Sequence, residues 1–334
     1  MSDGPGQTGF INHIKHACKC ATQEQLAAID LSDGRIFAAF VTRDNTGKTK
    51  LQRAGWSTYS FNDSDETVAR KIRQLWKECE IPTHLVTTCL HTRSLSIKHF
   101  KYTGLSMPEI ESALRLEAEE SMQLPANEII LDWHLNDPQG TPDNPTTSGI
   151  LASAPSRKAK RLINKLRKAG LYPAIIDTGP TAVSNLYLQL KGKLPAGESL
   201  AIVNLSDFHA DICILYEEKN LYPRSIFSQS ERWNKNIDYL LESLQDALLY
   251  YHIKISKDPI KKILVTGSIP EDPGFIAQLS ESTGLPAECW NPLDEPDLHI
   301  AKACDRDTLI HTNQSLMTTC LGIALRREAE YDYL

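Results

Sequence analysis

The 334-residue sequence lacks the long apolar run that a membrane-spanning helix needs. No stretch approaches the roughly 20 consecutive apolar residues that are required to cross a bilayer. The first nine residues, MSDGPGQTG, also lack the basic-then-apolar order of a secretion signal. They are polar and rich in glycine, which predicts a flexible extension. Any association with a membrane is therefore expected to be peripheral or to run through a partner protein.

The sequence also lacks a disulfide framework and an excess of positive charge. Its eight cysteines are scattered without paired spacing, which is typical of reduced thiols in a cytoplasm. The net charge of −6 gives no reason to expect nucleic acid as a partner. With 334 residues, of which 41% are hydrophobic, the chain is predicted to be a globular protein of about two domains.

An amino-terminal extension is predicted over residues 1–24, and Phe10–Cys20 within it has apolar residues at helical spacing. Four of its side chains are metal-ligand types, namely His13, His16, Cys18 and Cys20. However, Cys-x-Cys is not the usual zinc spacing, and no second pair follows nearby. A docking helix or a frayed extension therefore fits this stretch better than a metal site does.

Two stretches in the two halves of the chain share one pattern. Ala28–Val41 and Ile202–Leu215 each contain an apolar run, then Asp30 or Asn204, then Leu-Ser-Asp, then a second apolar run. Short apolar runs around a polar turn predict a β-hairpin, and Ser and Asp favour the turn because they bond to nearby backbone. The repetition predicts a duplicated domain with the two turns facing each other across a cleft. The alternative is two unrelated hairpins that share a common tripeptide.

The rest of the chain alternates strand and helix patterns, which predicts an α/β fold. His91–Ile150 has no counterpart in the second half, so it is predicted to be an inserted subdomain, with the helix up to residue 170 as an extension of it. In this insert Ser106 and Glu109 form a capping-box pattern that begins a helix. Asp137–Ser148 is rich in proline and is predicted to be a loop.

A predicted helix over Ser156–Ala169 carries seven basic residues. These are Arg157, Lys158, Lys160, Arg161, Lys165, Arg167 and Lys168. The helix is either a patch for anionic lipid or an acidic partner, or a solvated face that balances acidic surface elsewhere, and we favour the second. Nucleic acid is not supported, because no aromatic residues interleave with the charges.

From about Leu26 to Arg327 the chain resembles the PilM family of actin-like proteins, which are cytoplasmic parts of type IV pilus assembly platforms and are related to FtsA. The most specific piece is Glu109–Asp132, an acidic helix followed by a Leu-Pro corner and a strand. Further pieces match in order and spacing: Ile150–Ala154, Ala169–Leu171, Ile175–Thr178, Ser225, Ile263–Gly267 and Leu321–Arg326.

The resemblance implies an actin-like ATPase fold, made of two duplicated ribonuclease H-like domains with an inserted α+β subdomain. The first domain would span residues 25–195 and the second 196–312. A C-terminal helix within 313–334 would pack back on the first. Family members bind ATP between the two hairpin turns and hold the cytoplasmic tail of a single-pass membrane partner, PilN, on the first half.

Each turn of the implied nucleotide site departs from the family pattern. Turns that wrap phosphates need glycine, and Mg²⁺ needs a facing carboxylate. The family's Asp-x-Gly is Asp30-Leu31-Ser32 in the first turn and Asn204-Leu205-Ser206 in the second, and its Gly-Gly is Gly267-Ser268. The resemblance therefore implies a degenerate site. Its residues are Asp30, Ser32, Asp33, Asn204, Ser206, Asp207, Gly267 and Ser268. Hydrolysis is not expected, ATP and Mg²⁺ binding is expected to be weakened or lost, and no catalytic or metal-binding residue is assigned.

The expected function is a scaffold of a type IV pilus or related type II secretion platform, cytoplasmic and held at the inner membrane through a PilN-like partner. Other platform proteins are further expected partners, nucleic acid is not, and a homo-oligomer is left open. One alternative is an actin-fold kinase with Asp177 as base toward a hydroxyl or carboxyl substrate. Another is an FtsA-like filament protein, although the chain ends at Leu334 without the membrane helix of such proteins. His299, Cys304, His311 and Cys289 have no metal spacing and are interpreted as ordinary positions.

Overall fold

The structure is a computed structural model, and it describes residues 27–43, 48–91, 93–136, 139–141, 144–217, 220–228, 233, 237–268, 274–302, 304 and 317–326. The predicted extension over 1–24, with its histidines and cysteines, lies outside the described residues. So do His311 and most of the C-terminal segment 313–334.

Strands and helices alternate along most of the chain. The strands are β1 (Ala27–Ser32), β2 (Arg35–Arg43), β3 (Thr49–Thr58), β4 (Leu85–Cys89), β5 (Ser96–Thr103), β6 (Ile129–Leu135), β7 (Gln139–Thr141), β8 (Asn144–Pro155), β9 (Tyr172–Asp177), β10 (Ser199–Leu205), β11 (His209–Tyr216), β12 (Asn220–Phe227), β13 (Ile260–Gly267), β14 (Ala287–Cys289) and β15 (Leu298–Ile300). The α-helices are α1 (Asp65–Glu78), α2 (Met107–Met122), α3 (Ser156–Lys168), α4 (Gly179–Lys191), α5 (Ile237–Tyr250), α6 (Phe275–Thr283) and α7 (Thr318–Ala324).

Two sheets repeat one topology. The first has the order β15-β3-β2-β1-β4-β9, and the second has the order β12-β11-β10-β13-β14. In each, an antiparallel hairpin (β1–β2 or β10–β11) adds a third antiparallel strand on one side and two parallel strands on the other. Both predicted hairpins are confirmed. The shared order shows that they are equivalent parts of a duplicated fold.

The two large sheets and all described α-helices except α2 form five layers. Helices α1 and α3 cover the outer face of the first sheet, and α5 and α6 cover the outer face of the second. Helices α4 and α7 lie between the sheets, where Val183 and Leu321 pack with Phe37 of the first sheet and Ile202 of the second. Strands that are covered on both faces need apolar side chains on both faces. This explains the apolar runs 27–29 in β1 and 200–203 in β10.

The predicted basic helix is α3, and its charges face acidic residues at the start of α1. Asp65 lies 3.6 Å from Arg161 and 3.5 Å from Lys165, and Lys168 contacts Glu66. Such exposed pairs contribute little stability individually. The arrangement agrees with the interpretation of this helix as a solvated face that balances acidic surface.

The insert contains a sheet of its own, in the order β5-β8-β6, with β7 paired to β8. Helix α2 packs on it, and its start is the predicted capping box, in which the Ser106 N–H donates to Glu109 Oε2 at 2.8 Å. One expectation was wrong here: the stretch Asp137–Ser148 is not all loop, because β7 and the start of β8 lie within it. Strand β8 continues past residue 150 to Pro155, so the insert extends beyond the shorter of its predicted boundaries. Pro145 is tolerated since β5 pairs with β8 only as far as Thr146, so no ladder bond is needed on that side.

The chain returns to the first sheet earlier than predicted. Strand β15 pairs in parallel with β3, so residues 298–300, which were assigned to the second domain, belong to the first sheet. Helix α7 then packs closely on α4, where a Cβ at Gly322 would collide with the backbone of Ala182. In the parts of the chain that the structure describes, no helix is long and apolar enough to cross a membrane.

Candidate functional site

The two hairpin turns contact each other directly. The first turn is Asp33-Gly34, with φ of +48° and +77°, as a two-residue hairpin turn of type I′ requires. The second turn spans residues 206–208. The carboxylate of Asp33 accepts a hydrogen bond from the backbone N–H of Phe208 at 3.2 Å and another from the Ser206 hydroxyl. The cleft predicted between the turns is therefore bridged by protein side chains.

Asp33 is ionised at neutral pH. Burial alone would raise its pKa, but a hydrogen bond and the charge of His209, followed by the bonds from Ser206 and Phe208, hold that pKa well below its usual range. Asp33 thus presents an anion to the donors of the second turn.

A second link joins Arg35, at the start of β2, to the second turn. Its guanidinium lies 3.1 Å from Asp207 Oδ2, and the hydroxyl of Ser268 donates to Asp207 Oδ1 at 3.1 Å. The Asp207 side chain is only 7% exposed, so this ion pair is largely removed from solvent. Asp207 is therefore directed to protein groups in both halves.

Asp30 and Asn204 occupy equivalent buried positions on β1 and β10. Asp30 Oδ1 lies 2.7 Å from Nε2 of His91, and Asn204 Nδ2 donates to the hydroxyl of Thr319 on α7 at 2.9 Å. Burial would lower the pKa of His91, but Cys89 and Asp30 outweigh it and hold that pKa well above its ordinary value. Burial in turn raises the pKa of the Cys89 thiol to about 12. The predicted carboxylate is thus present in the first half and paired, and the second half carries a neutral amide.

Gly267 ends β13 and Ser268 follows it, beside the second turn. Gly267 has φ of +90°, and a Cβ there would collide with the backbone of Leu205. The N–H of Ser268 donates to the Leu205 carbonyl at 2.6 Å. The glycine is therefore required by the close approach of β13 to β10, independently of any ligand. Ser32, the remaining residue of the predicted nucleotide site, ends β1 opposite Arg35.

Sequence reasoning missed two histidines at the centre of this region. The rings of His91 and His209 lie 5.0 Å apart, and His209 lies 3.6 Å from Asp33 and 3.8 Å from Asp211. The two histidines come from different halves of the chain, and only the fold brings them together. The local signal was weak: a His-Ala-Asp sequence directly after the second turn, with His209 and Asp211 on one face of β11.

Asp177, the base that the kinase alternative requires, ends β9 and bonds to the turn that follows it. Its Oδ1 accepts from the backbone N–H of Thr178 at 2.8 Å and from the hydroxyl of Thr181, and its Oδ2 lies 3.4 Å from Arg326 Nε. These contacts orient the carboxylate toward the first turn of α4.

Comparisons with known proteins agree with this architecture. The profile of the family described as type IV pilus assembly protein PilM matches residues 41–238. The solved structure of a PilM–PilN type IV pilus biogenesis complex is similar with a TM-score of 0.76 at 18% identity, covering 91% of this chain and 99% of that one. A Bacteroides thetaiotaomicron protein with an actin-like ATPase fold and unknown function has a TM-score of 0.50 at 11% identity, covering 86% of this chain and 96% of that one. No curated protein matches the sequence. Because the family profile spans more than half of the chain, the protein belongs to the type IV pilus assembly protein PilM family, and its fold is actin-like.

Proposed function

We propose that this protein is a nucleotide-independent scaffold on the cytoplasmic side of a type IV pilus, or related type II secretion, inner-membrane platform. The observation that carries the proposal is the direct bonding of the two turns, in which Asp33 takes the donors of Phe208 and Ser206. Members of a fold that grips ATP need these turns open and rich in backbone donors. In this chain the donors already hold an internal anion.

Electrostatics also disfavours a nucleotide at this place. A phosphate oxygen about 4 Å from an ionised carboxylate is repelled by about 4 kcal/mol at an effective dielectric constant of about 20. Asn204 supplies no charge to offset this through Mg²⁺, which prefers carboxylate oxygens. Asp207 is paired with Arg35 at 3.1 Å. Weakened or absent ATP binding follows from these three features together.

The kinase alternative finds less support. A base for phosphoryl transfer must face a nucleotide and an acceptor, whereas Asp177 is engaged by Thr178, Thr181 and Arg326. A scaffold needs surfaces rather than a reactive centre, and the similar solved structure is itself a complex of PilM with PilN. We therefore take the partner of this chain to be the cytoplasmic tail of a PilN-like membrane protein.

The insert offers a place for such a tail. In the described part of the chain no strand pairs with the outer edge of β6, and an extended peptide adds to an open edge through main-chain hydrogen bonds. Helix α2, which packs on the same sheet, is acidic and carries Glu111, Glu119 and Glu120. Cytoplasmic segments next to a membrane helix are enriched in Lys and Arg, so the charges are complementary.

Thermal unfolding with and without Mg-ATP tests the nucleotide half of the proposal. The melting temperature is expected to stay unchanged, whereas a ligand at 100 times its Kd adds about 2.7 kcal/mol of stability. A clear upward shift would show that ATP binds after all. Transfer of phosphate from labelled ATP to a small acceptor would restore the kinase alternative.

Binding of a peptide that copies the cytoplasmic segment of the organism's PilN-like protein tests the scaffold half. We expect the Glu119→Lys/Glu120→Lys variant to weaken binding tenfold or more. The matched control is Glu242→Lys/Asp246→Lys on α5, where both residues are exposed and far from the insert in the layer order. Equal binding by both variants would reject the acidic face of α2 as part of the docking site, and no binding by the unmodified protein would reject the scaffold.

A further inference from the structure

A cluster of metal-ligand side chains lies between the two halves, behind the bonded turns. Ligand atoms of His91, His209 and Asp211 all lie within 4.8 Å of one another. His91 also shares a second such group with Asp30 and Cys89. All of these side chains are largely buried, with His209 5% and Asp211 3% exposed. Imidazole, carboxylate and thiol groups in one buried place are the donors that zinc selects.

One oxygen in this cluster has no hydrogen-bond partner. Asp211 accepts from the Ser225 hydroxyl through Oδ1 at 2.6 Å, whereas its Oδ2 is fully buried and unsatisfied. A buried polar atom without a partner costs about 1–3 kcal/mol, and more for a charged group. This oxygen lies 3.8 Å from Nε2 of His209, so it is directed toward the other ligand atoms.

The surroundings hold Asp211 in this place. Gly179, at the start of α4, packs against its carboxylate so closely that a Cβ there would collide with Oδ2. Ser225 fixes the other oxygen from β12. The carboxylate of Asp211, with its unsatisfied Oδ2, is therefore held in place by α4 and β12.

Both histidines are oriented as metal ligands usually are. Nε2 of His91 bonds to Asp30 at 2.7 Å, and Nδ1 of His209 bonds to the Ser206 hydroxyl at 2.9 Å. Metal-binding histidines commonly engage an oxygen through one ring nitrogen, which orients the other toward the ion. This leaves Nε2 of His209 facing Asp211 at 3.8 Å, and the other ring nitrogen of His91 takes no part in the bond to Asp30.

The buried charges around the two histidines also favour a cation at this place. Three buried carboxylates surround the two imidazoles, and their side chains are 2% (Asp30), 13% (Asp33) and 3% (Asp211) exposed. Buried anions need compensating charge or their burial is strongly unfavourable. The bond from His91 compensates Asp30, and a divalent cation bound through the imidazoles would extend that compensation to Asp211.

We propose that His91, His209 and Asp211 bind one Zn²⁺ ion between the two halves of the fold. Zinc bonds of about 2 Å in a tetrahedron place ligand atoms about 3.3 Å apart, so the side chains would draw together by up to about 1.5 Å. A water molecule or the Cys89 thiolate would complete the site. Because His91 follows β4 while His209 and Asp211 lie on β11, the ion would tie the first half to the second.

Zinc binding to the full chain, after treatment with EDTA, tests the site. The stoichiometry is measured by metal analysis after gel filtration, the affinity by competition with a chromophoric chelator, and the geometry by the absorption of bound Co²⁺. We expect one Zn²⁺ per chain, tetrahedral Co²⁺ bands, and an affinity at least tenfold lower in His209→Gln and in Asp211→Asn. Zinc should raise the melting temperature of the unmodified protein and not of these variants.

Two controls separate this site from other histidines. His84→Gln replaces an exposed histidine, and a variant with His13, His16, Cys18 and Cys20 all replaced by serine removes the amino-terminal candidates. Both should bind zinc as the unmodified protein does. The proposal is overturned if the unmodified protein binds no stoichiometric zinc, or if the amino-terminal variant alone loses it. Circular dichroism checks folding, and Asp211→Asn, which keeps the shape of the side chain, decides the test if His209→Gln unfolds.

Discussion

Asp33 occupies a turn position with φ of +48°, followed by a glycine, where asparagine is the residue that a type I′ turn favours most. Asp33→Asn therefore keeps the hairpin and removes only the charge. Hydrogen bonds to a charged group contribute about 1.5–3 kcal/mol, so we expect the free energy of unfolding to fall by about 1–2 kcal/mol, since the amide oxygen still accepts one bond. Urea denaturation measures this change.

The matched control for this change is Asp246→Asn, on the exposed side of α5. It should alter the free energy of unfolding by less than about 0.5 kcal/mol, as surface substitutions usually do. If Asp33→Asn is equally neutral, the bonds between the turns contribute nothing to stability. The account of a cleft closed by Asp33 would then be wrong.

Gly267 allows a separate test of whether a family glycine is kept for a ligand or for packing. Gly267→Ala should destabilise the protein by about 2 kcal/mol or more, since it combines a positive φ with a collision against Leu205. Gly170→Ala is the matched control, because Gly170 has φ of +83° but open space around its Cβ, so only the backbone strain remains. Equal losses in urea denaturation would mean that the contact with Leu205 is unimportant.

Single residues were only partly predictable. Asp30, Asn204 and Gly267 were identified because each stands in a local pattern that repeats or follows a strand. The partners of Asp33 and Asp207 were not predicted, because a turn sequence does not reveal whether its carboxylates face a ligand or the opposite turn. His91 and His209 were missed for the same reason: each is an isolated histidine in sequence, and only the duplicated fold places them together.

At the scale of elements, the contact between α2 and β5 predicts a response to alkaline pH. Burial, with help from a hydrogen bond to Glu117, raises the pKa of Tyr102 to about 12, whereas an unfolded tyrosine titrates near 10. The folded state thus binds the phenolic proton more tightly. The stability that this proton contributes is complete below pH 10 and is lost as pH rises toward 12.

Urea denaturation between about pH 9 and 12, with tyrosinate absorption as a second measurement, checks this expectation. Tyr102→Phe should flatten the loss of stability across this range, and Glu117→Gln should flatten it in part, because burial still acts on the phenol. A Tyr102→Phe profile that matches the unmodified protein would show that Tyr102 does not stabilise the insert through its proton.

Elements with strong periodicity were predictable, and those of the insert less so. The hairpin β1–β2 follows from two apolar runs around a polar turn, and helix α1 follows from a 3.6-residue repeat, with Ser64 capping α1 through the Thr67 N–H at 3.2 Å. Strand β5 was not predicted, because its alternation is interrupted by charged residues that face solvent. The start of β8 was taken as loop since it contains Pro145, and its pairing with β7 depends on tertiary context.

At the scale of the whole molecule, duplication was visible in sequence and the resemblance implied a C-terminal helix packed back on the first domain, but the return of β15 to the first sheet was not predicted. Strand β15 has only three residues and joins β3 from a distant part of the chain. Helix α7 lies between the sheets, where Thr319 bonds to Asn204 and Thr318 bonds to Thr266. Each of these contacts fixes one half against the other, so the cleft is held at its base as well as at its turns.

Because bonds between the two turns close the cleft, substitutions that remove these bonds should restore nucleotide binding. Ser32→Gly, Asn204→Asp and Ser206→Gly restore the family pattern in both turns, yet Asp33 still holds the Phe208 N–H, so this triple variant should show no thermal shift with Mg-ATP. Adding Asp33→Asn removes the negative charge and leaves only a weaker amide acceptor on that donor, and the quadruple variant should then bind Mg-ATP with a measurable rise in melting temperature. The comparison between the triple and the quadruple variant is the test. If only the missing glycines prevented binding, the triple variant would already bind Mg-ATP. If the triple variant binds as well as the quadruple one, Asp33 does not block the site; if neither binds, the bonded turns are not what excludes the nucleotide.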